Sequence, residues 1–117
     1  MQEKINFINS LKLDERISYR QDLILLAQNY LVSETISESQ SIELINCLNN
    51  IRTSRFVDSD IDMELLDISL LIARKLQHHN NILKGILNDI LYYSNYYPKK
   101  YNKEELEVEI KLLNKTA

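Results

Sequence analysis

Five carboxylates, Asp58, Asp60, Asp62, Glu64 and Asp67, lie within ten residues with no base among them, and from Arg74 to Lys103 the balance reverses to six bases against one acid, Asp89. Charge segregated along a short chain builds a local field that steers and holds a partner of opposite sign, which the net charge of −3 hides. A further run of acids, Glu104, Glu105, Glu107 and Glu109, follows Lys103. The structural alternative for such carboxylates is capping: Asp60, Asp62 and Glu64 fall in the first turn of a helix, where the backbone dipole favours negative charge. Four or more acids without a compensating base exceed what capping needs.

Tyrosine is the second unusual set. Tyr92, Tyr93, Tyr96, Tyr97 and Tyr101, five of the chain's seven, lie within ten residues. Tyr93 and Tyr97 share one helical face and Tyr92 and Tyr96 another, so one pair is expected at the surface or beneath the last helix. Tyrosine offers rigid contact area with a polar tip and is enriched at interfaces. Packing of the bundle end around Pro98 is the alternative. Interleaved Lys99, Lys100 and Lys103 suggest stacking on single-stranded nucleic acid, but the glutamates that follow spoil an electropositive groove.

Other chemistry is thin. His78 and His79 are adjacent and point about 100° apart on a helix, so they do not face one metal ion together, and no zinc ligand set is completed nearby. Cys47, between Ile45 and Leu48, reads as a small buried hydrophobe; a nucleophile would need a positioned base and a lowered thiol pKa. With a single glycine there is no phosphate loop, nucleophile elbow or dinucleotide fingerprint. These residues point to a protein that is not an enzyme and carries no cofactor or metal.

The elements that position these residues are helical. One glycine, Gly85, and one proline, Pro98, are too few for the turns of an all-β chain. Apolar residues recur at helical spacing in six segments: Ile5 to Leu11, Leu23 to Leu31, Ile42 to Ile51, Ile61 to Leu76, Ile82 to Leu91, and Leu106 to Leu113, the last polar on its other face. Start signals are Asp14 or Ser18, Ser37 or Ser39, Asp58 or Asp60, and Asn102, which with Glu105 resembles a capping box. Val32 to Ser41 and Thr53 to Ser59 read as turns. His78 to Asn81 either breaks the chain or lets the fourth and fifth helices run together. Gly85 suggests close backbone packing, with a neutral glycine as the alternative, and Pro98 ends the fifth helix. The expected fold is all-α, a single-domain antiparallel bundle of four to six helices over 1–117.

A pI near 5.4 argues against direct nucleic-acid binding, since phosphate neutralisation requires a basic face. An acidic protein more readily meets a basic one. Cys47 has no internal disulfide partner, the start Met1-Gln2-Glu3-Lys4 has no apolar signal segment, and no apolar run approaches the ~20 residues that cross a bilayer. These features suggest a cytoplasmic location and no membrane partner.

Read in order, a helix ending Ala27 to Val32, a polar turn entering the next helix at Ile36-Ser37, a polar linker, an apolar helix at Leu65 to Leu76, and the closing run Tyr101-Asn102-Lys103-Glu104-Glu105-Leu106-Glu107-Val108-Glu109-Ile110 resemble the colicin D type of bacterial immunity protein. The resemblance covers Leu23 to Asn114, with the tyrosine-rich segment as an insertion; Gln40 and Ser41 stand where related sequences tend to place an aromatic. It implies a helical protein that neutralises a toxin of its own cell or kin by covering the active site of a nuclease, such as a tRNA anticodon cleaver. An inhibitor of a ribonuclease gains by putting carboxylates where phosphates would lie. The expected partner-binding residues are Glu104, Glu105 and Glu107 with Tyr101, Tyr97, Tyr96 and Tyr93, or else Asp60, Asp62 and Asp67. The resemblance tilts toward the C-terminal group. The main rival is a small helical adaptor or anti-defence binding protein docking through Tyr92 to Tyr101; a third reading is weak self-association through the fifth helix.

Overall fold

Little in a sequence with one proline and one glycine stops a helix once it has started. The computed structural model describes residues 1–33, 37–51, 60–76, 79–93 and 101–116, with the backbone alone for Leu13, Asp60, Tyr93 and Thr116. Among these residues there is no strand. The helices are α1 (Gln2–Ser10), α2 (Leu13–Arg16), α3 (Arg20–Leu31), α4 (Glu38–Asn50), α5 (Asp60–Arg74), α6 (Asn80–Tyr93) and α7 (Lys103–Thr116), with a 3-10 turn at Ile17–Tyr19 between α2 and α3. Each of the six apolar-periodic segments falls on one of the six longer helices, with Leu11, Ile51 and Leu76 just past the ends of theirs. Short α2 has no period long enough to read.

Contacts gather into two compact units, Met1–Leu76 and Gln77–Ala117. In the first, α4 packs on α1 and α5, and α5 also packs on α3. Its core joins Ile5 and Ile8 of α1, Leu23, Ile24 and Ala27 of α3, Leu44, Ile45 and Leu48 of α4, and Met63, Leu65, Leu66 and Ile72 of α5. Full burial of such a side chain contributes about 1.5–3 kcal/mol. On α5 only Glu64, Leu71 and Arg74 are exposed among the side chains described, so this helix is buried around most of its circumference.

Two long-range contacts set the direction of α3 against α5. Arg20, opening α3, pairs with Asp62 in the first turn of α5, and just past the end of α5 the Lys75 ammonium donates to the Leu31 carbonyl at the end of α3 (3.2 Å). Like ends meet like ends, so α3 and α5 run parallel. The return comes from α4, entered from the C-terminal end of α3. Tyr30 and Ser41, both buried, fasten that entry. The Tyr30 hydroxyl lies 2.6 Å from Ser41 Oγ, and each hydroxyl lies within 2.9 Å of the Ser37 carbonyl oxygen. Each hydroxyl has one proton, so one donates to the other while the second donates to the carbonyl.

Capping follows the sequence signals at two of the predicted starts. Ser37 Oγ accepts from the Gln40 amide (3.1 Å), and Asn102 Oδ1 accepts from the amides of Glu104 (3.0 Å) and Glu105 (3.2 Å). At α3 neither predicted signal caps. Asp14 belongs to the first turn of α2, and Ser18 Oγ donates to the Glu15 carbonyl (2.9 Å). What holds this corner is Arg16, whose guanidinium donates to the carbonyls of Leu11 (2.8 Å) and Asn9 (2.9 Å) at the C-terminal end of α1. Those carbonyls have no helical donor, and the cation suits the negative end of the dipole. Phe7 of α1 also meets Tyr19 edge to face, with ring centroids 5.4 Å apart.

The fourth and fifth predicted helices do not run together. The amides of Lys75 and Leu76 bond to carbonyls three residues back, tightening the end of α5, and the His79 carbonyl accepts from Ile82 and Leu83 as α6 begins. In the second unit α6 packs on α7, and Lys84 near the start of α6 donates to Asn114 Oδ1 near the end of α7 (3.0 Å), so the two are antiparallel. The expectations for Asp58, Thr53 to Ser59, His78 and Pro98 lie outside the described residues.

Close packing at Gly85 is overturned: the residue is exposed, and a Cβ added there meets nothing within 4 Å. The glycine therefore only weakens α6, through its backbone entropy. Gly85→Ala is expected to stabilise the chain by about 0.5–1 kcal/mol, read as a higher urea midpoint at unchanged m-value.

Candidate functional site

The acidic surface of α7 is built by the stripe it buries. Leu106 is buried and Ile110 and Leu113 are half-buried, at i, i+4 and i+7, and this stripe turns one side of the helix inward. Glu104, Glu105, Glu107, Val108 and Leu112 are all exposed. The outer side was expected to be polar, but it carries Val108 at 55% exposure and Leu112 at 56%. These apolar side chains, one turn apart, are the residues that sequence reasoning missed. Their i, i+4 spacing, opposite the Leu106–Ile110–Leu113 stripe, is the signal that would have found them.

Asn102, Glu104, Glu105, Val108, Glu109 and Leu112 line an open groove of about 580 Å³. Its described lining holds three carboxylates and no base. Glu105 and Glu109 are one turn apart, a like-charge spacing that costs an isolated helix a few tenths of a kcal/mol. The dipole at the start of α7 favours Glu104 and Glu105, an effect that fades within the first turn. Glu107 does not join the groove. It lies about 160° around the helix from Glu105, with Lys103 and Lys111 one turn to either side.

Helix α5 treats its acids differently. Asp62 is 1% exposed, and its Oδ1 lies 3.1 Å from Arg20 Nη1. Its expected place on a partner-binding surface is therefore corrected: the chain's own guanidinium takes up the carboxylate within the core. Asp67 is half-buried with an interaction of its own, and Glu64 is exposed. Asp60 opens α5 and Tyr93 closes α6, both with side chains outside the described set, as are Tyr96 and Tyr97 entirely. Tyr101 is half-buried beside the Asn102 cap, whereas Tyr92 is 64% exposed.

Cys47 is fully buried, and burial pushes its thiol up to about 11, with Arg16 pulling weakly the other way. A thiol so raised stays protonated at neutral pH and is a poor nucleophile. Among the described residues no group of three or more His, Cys, Asp or Glu side chains is arranged to hold a metal ion, and no helix is long and apolar enough to cross a membrane.

Fold and surface define an all-helical protein with an acidic groove around two exposed apolar side chains. Compared with protein-family models, curated proteins and solved structures, the chain finds no match.

Two measurements check these assignments. Arg20→Ala and Asp62→Ala each leave a poorly solvated partner charge, so each is expected to lower the unfolding free energy by about 2–4 kcal/mol. The double variant should lose less than the sum, with a coupling above about 1 kcal/mol in chemical denaturation. Iodoacetamide at pH 8 should modify Cys47 at least about a hundredfold more slowly in the folded chain than in urea, because the folded thiol is both protonated and covered.

Proposed function

We propose that this chain is an immunity protein that binds a cognate bacterial toxin, a basic nuclease domain, and blocks its active site without catalysis of its own. The observation that carries this reading is the α7 groove, where Glu104, Glu105 and Glu109 surround the exposed Val108 and Leu112. Carboxylates there take up cations that a ribonuclease presents to phosphate, and the apolar pair supplies area that excludes water. Of the two acidic groups, the α7 set fits the role better, because Asp62 of the other is already neutralised inside the core. The setting is the cytoplasm, where such a toxin must be blocked. Nucleic acid itself is not the ligand, since an acidic groove repels phosphate.

A second reading, an adaptor or anti-defence protein docking through its tyrosines, is favoured by the exposure of Tyr92.

Affinity capture with the tagged full chain, followed by mass spectrometry, is expected to recover a basic nuclease domain whose gene adjoins this one. Glu104→Lys with Glu105→Lys should weaken that complex by at least about a hundredfold, since like charges then face each other. Glu107→Lys, on another side of α7, should cost far less. Inhibition untouched by the double reversal defeats the acidic mechanism, and a tyrosine-dependent complex with a non-nuclease supports the adaptor.

A further inference from the structure

The α7 groove also constrains the shape of what enters it. Its wall is a helix whose backbone donors and acceptors are used internally, and no strand occurs among the described residues. An extended peptide laid along it adds no strand, because strand addition requires a sheet edge, and so gains no backbone hydrogen bonds from the chain. A helix satisfies its backbone internally and offers only side chains. Val108 and Leu112 stand about 6 Å apart along the axis, an i, i+4 row of the kind that interdigitates with a matching row on a second helix.

Charge selects among helices. Three carboxylates and no base occur in the described lining. A second copy of this face would set glutamate against glutamate, and anionic lipid or nucleic acid is repelled for the same reason. An enclosed small-molecule site would bury most of its ligand, and this groove is open to solvent.

We propose that the α7 groove receives a cationic amphipathic helix of the partner, with an apolar pair at i, i+4 seated on Val108 and Leu112 and Lys or Arg beside Glu104 and Glu105. The inference rests on α7 being the docking face and adds which element docks there. The apolar pair holds the complex together, and the carboxylates set its orientation and salt dependence.

The probe is a synthetic helix of about 18 residues, long enough to be helical alone, with leucines at i, i+4 flanked by lysines. Its control has the same composition, scrambled to erase the apolar face. Binding to the full chain is read by fluorescence anisotropy, and its place by amide NMR shifts. The designed helix should bind at least about tenfold more tightly than the scramble, with shifts centred on 104–112. Val108→Ser with Leu112→Ser should remove about tenfold of that affinity, while Glu104→Gln with Glu105→Gln should flatten the salt dependence. Both pairs are exposed, and unchanged thermal melting verifies their folding.

Equal binding of the scramble, or full affinity in the Val108→Ser, Leu112→Ser variant, overturns the proposal. Failures of the two readings are separable. A captured nuclease that responds to Glu104→Lys and Glu105→Lys but not to Val108→Ser and Leu112→Ser refutes the helix while leaving the immunity function. Groove-dependent binding of the designed helix without any nuclease capture supports the helix and removes the toxin.

Discussion

Burial of an apolar stripe along each helix is the constraint from which the rest of this structure follows, because it fixes how far each helix is turned about its axis. Once Leu106, Ile110 and Leu113 face inward, Glu104, Val108 and Leu112 have no choice but to face out. On α5 the same constraint acts with the opposite result. Its buried positions run almost all the way round, so Asp62 is carried into the core, where pairing with Arg20 makes its charge tolerable. Two acidic stretches that look alike in composition thus end in different physical settings.

That difference has energetic content. A carboxylate already held at 3.1 Å by a guanidinium in a poorly solvated place must lose that partner before it meets another. An exposed one loses only water. Glu104 and Glu105 of α7 are exposed. Under the proposed function, a cation of the partner would therefore meet Glu104 and Glu105 at the cost of their water alone.

The two exposed apolar side chains complete that logic. Charges at a rim speed encounter and set orientation but contribute little lasting affinity when solvated. Val108 and Leu112 lie among these charges, and under the proposed function an incoming apolar surface would displace water there and leave the surrounding ion pairs better shielded. Apolar centre and charged rim together describe an interface more completely than acidity does. Single exposed apolar residues elsewhere, such as Leu25 and Leu71, are ordinary for a protein exterior.

The sequence by itself determined that the chain is helical, where its longer helices lie, the cap at Asn102, and for α4 a cap at Ser37 or Ser39, because these depend on propensity and on residues within one turn. It also carried the two acidic runs and the burial of Cys47. It did not reveal short α2 or the Arg16 clamp, since a four-residue helix has no period and the clamp depends on how the chain folds back. Gly85 read as a packing site because a helix-weakening residue suggests a reason, and the folded chain supplies none. Only tertiary structure decided that α3 and α5 run parallel, that Asp62 is internal, and that Val108 and Leu112 share a groove with Glu104, Glu105 and Glu109. The physical reason is that spacing along a helix tells which residues share a face, whereas packing against another helix decides which face meets water.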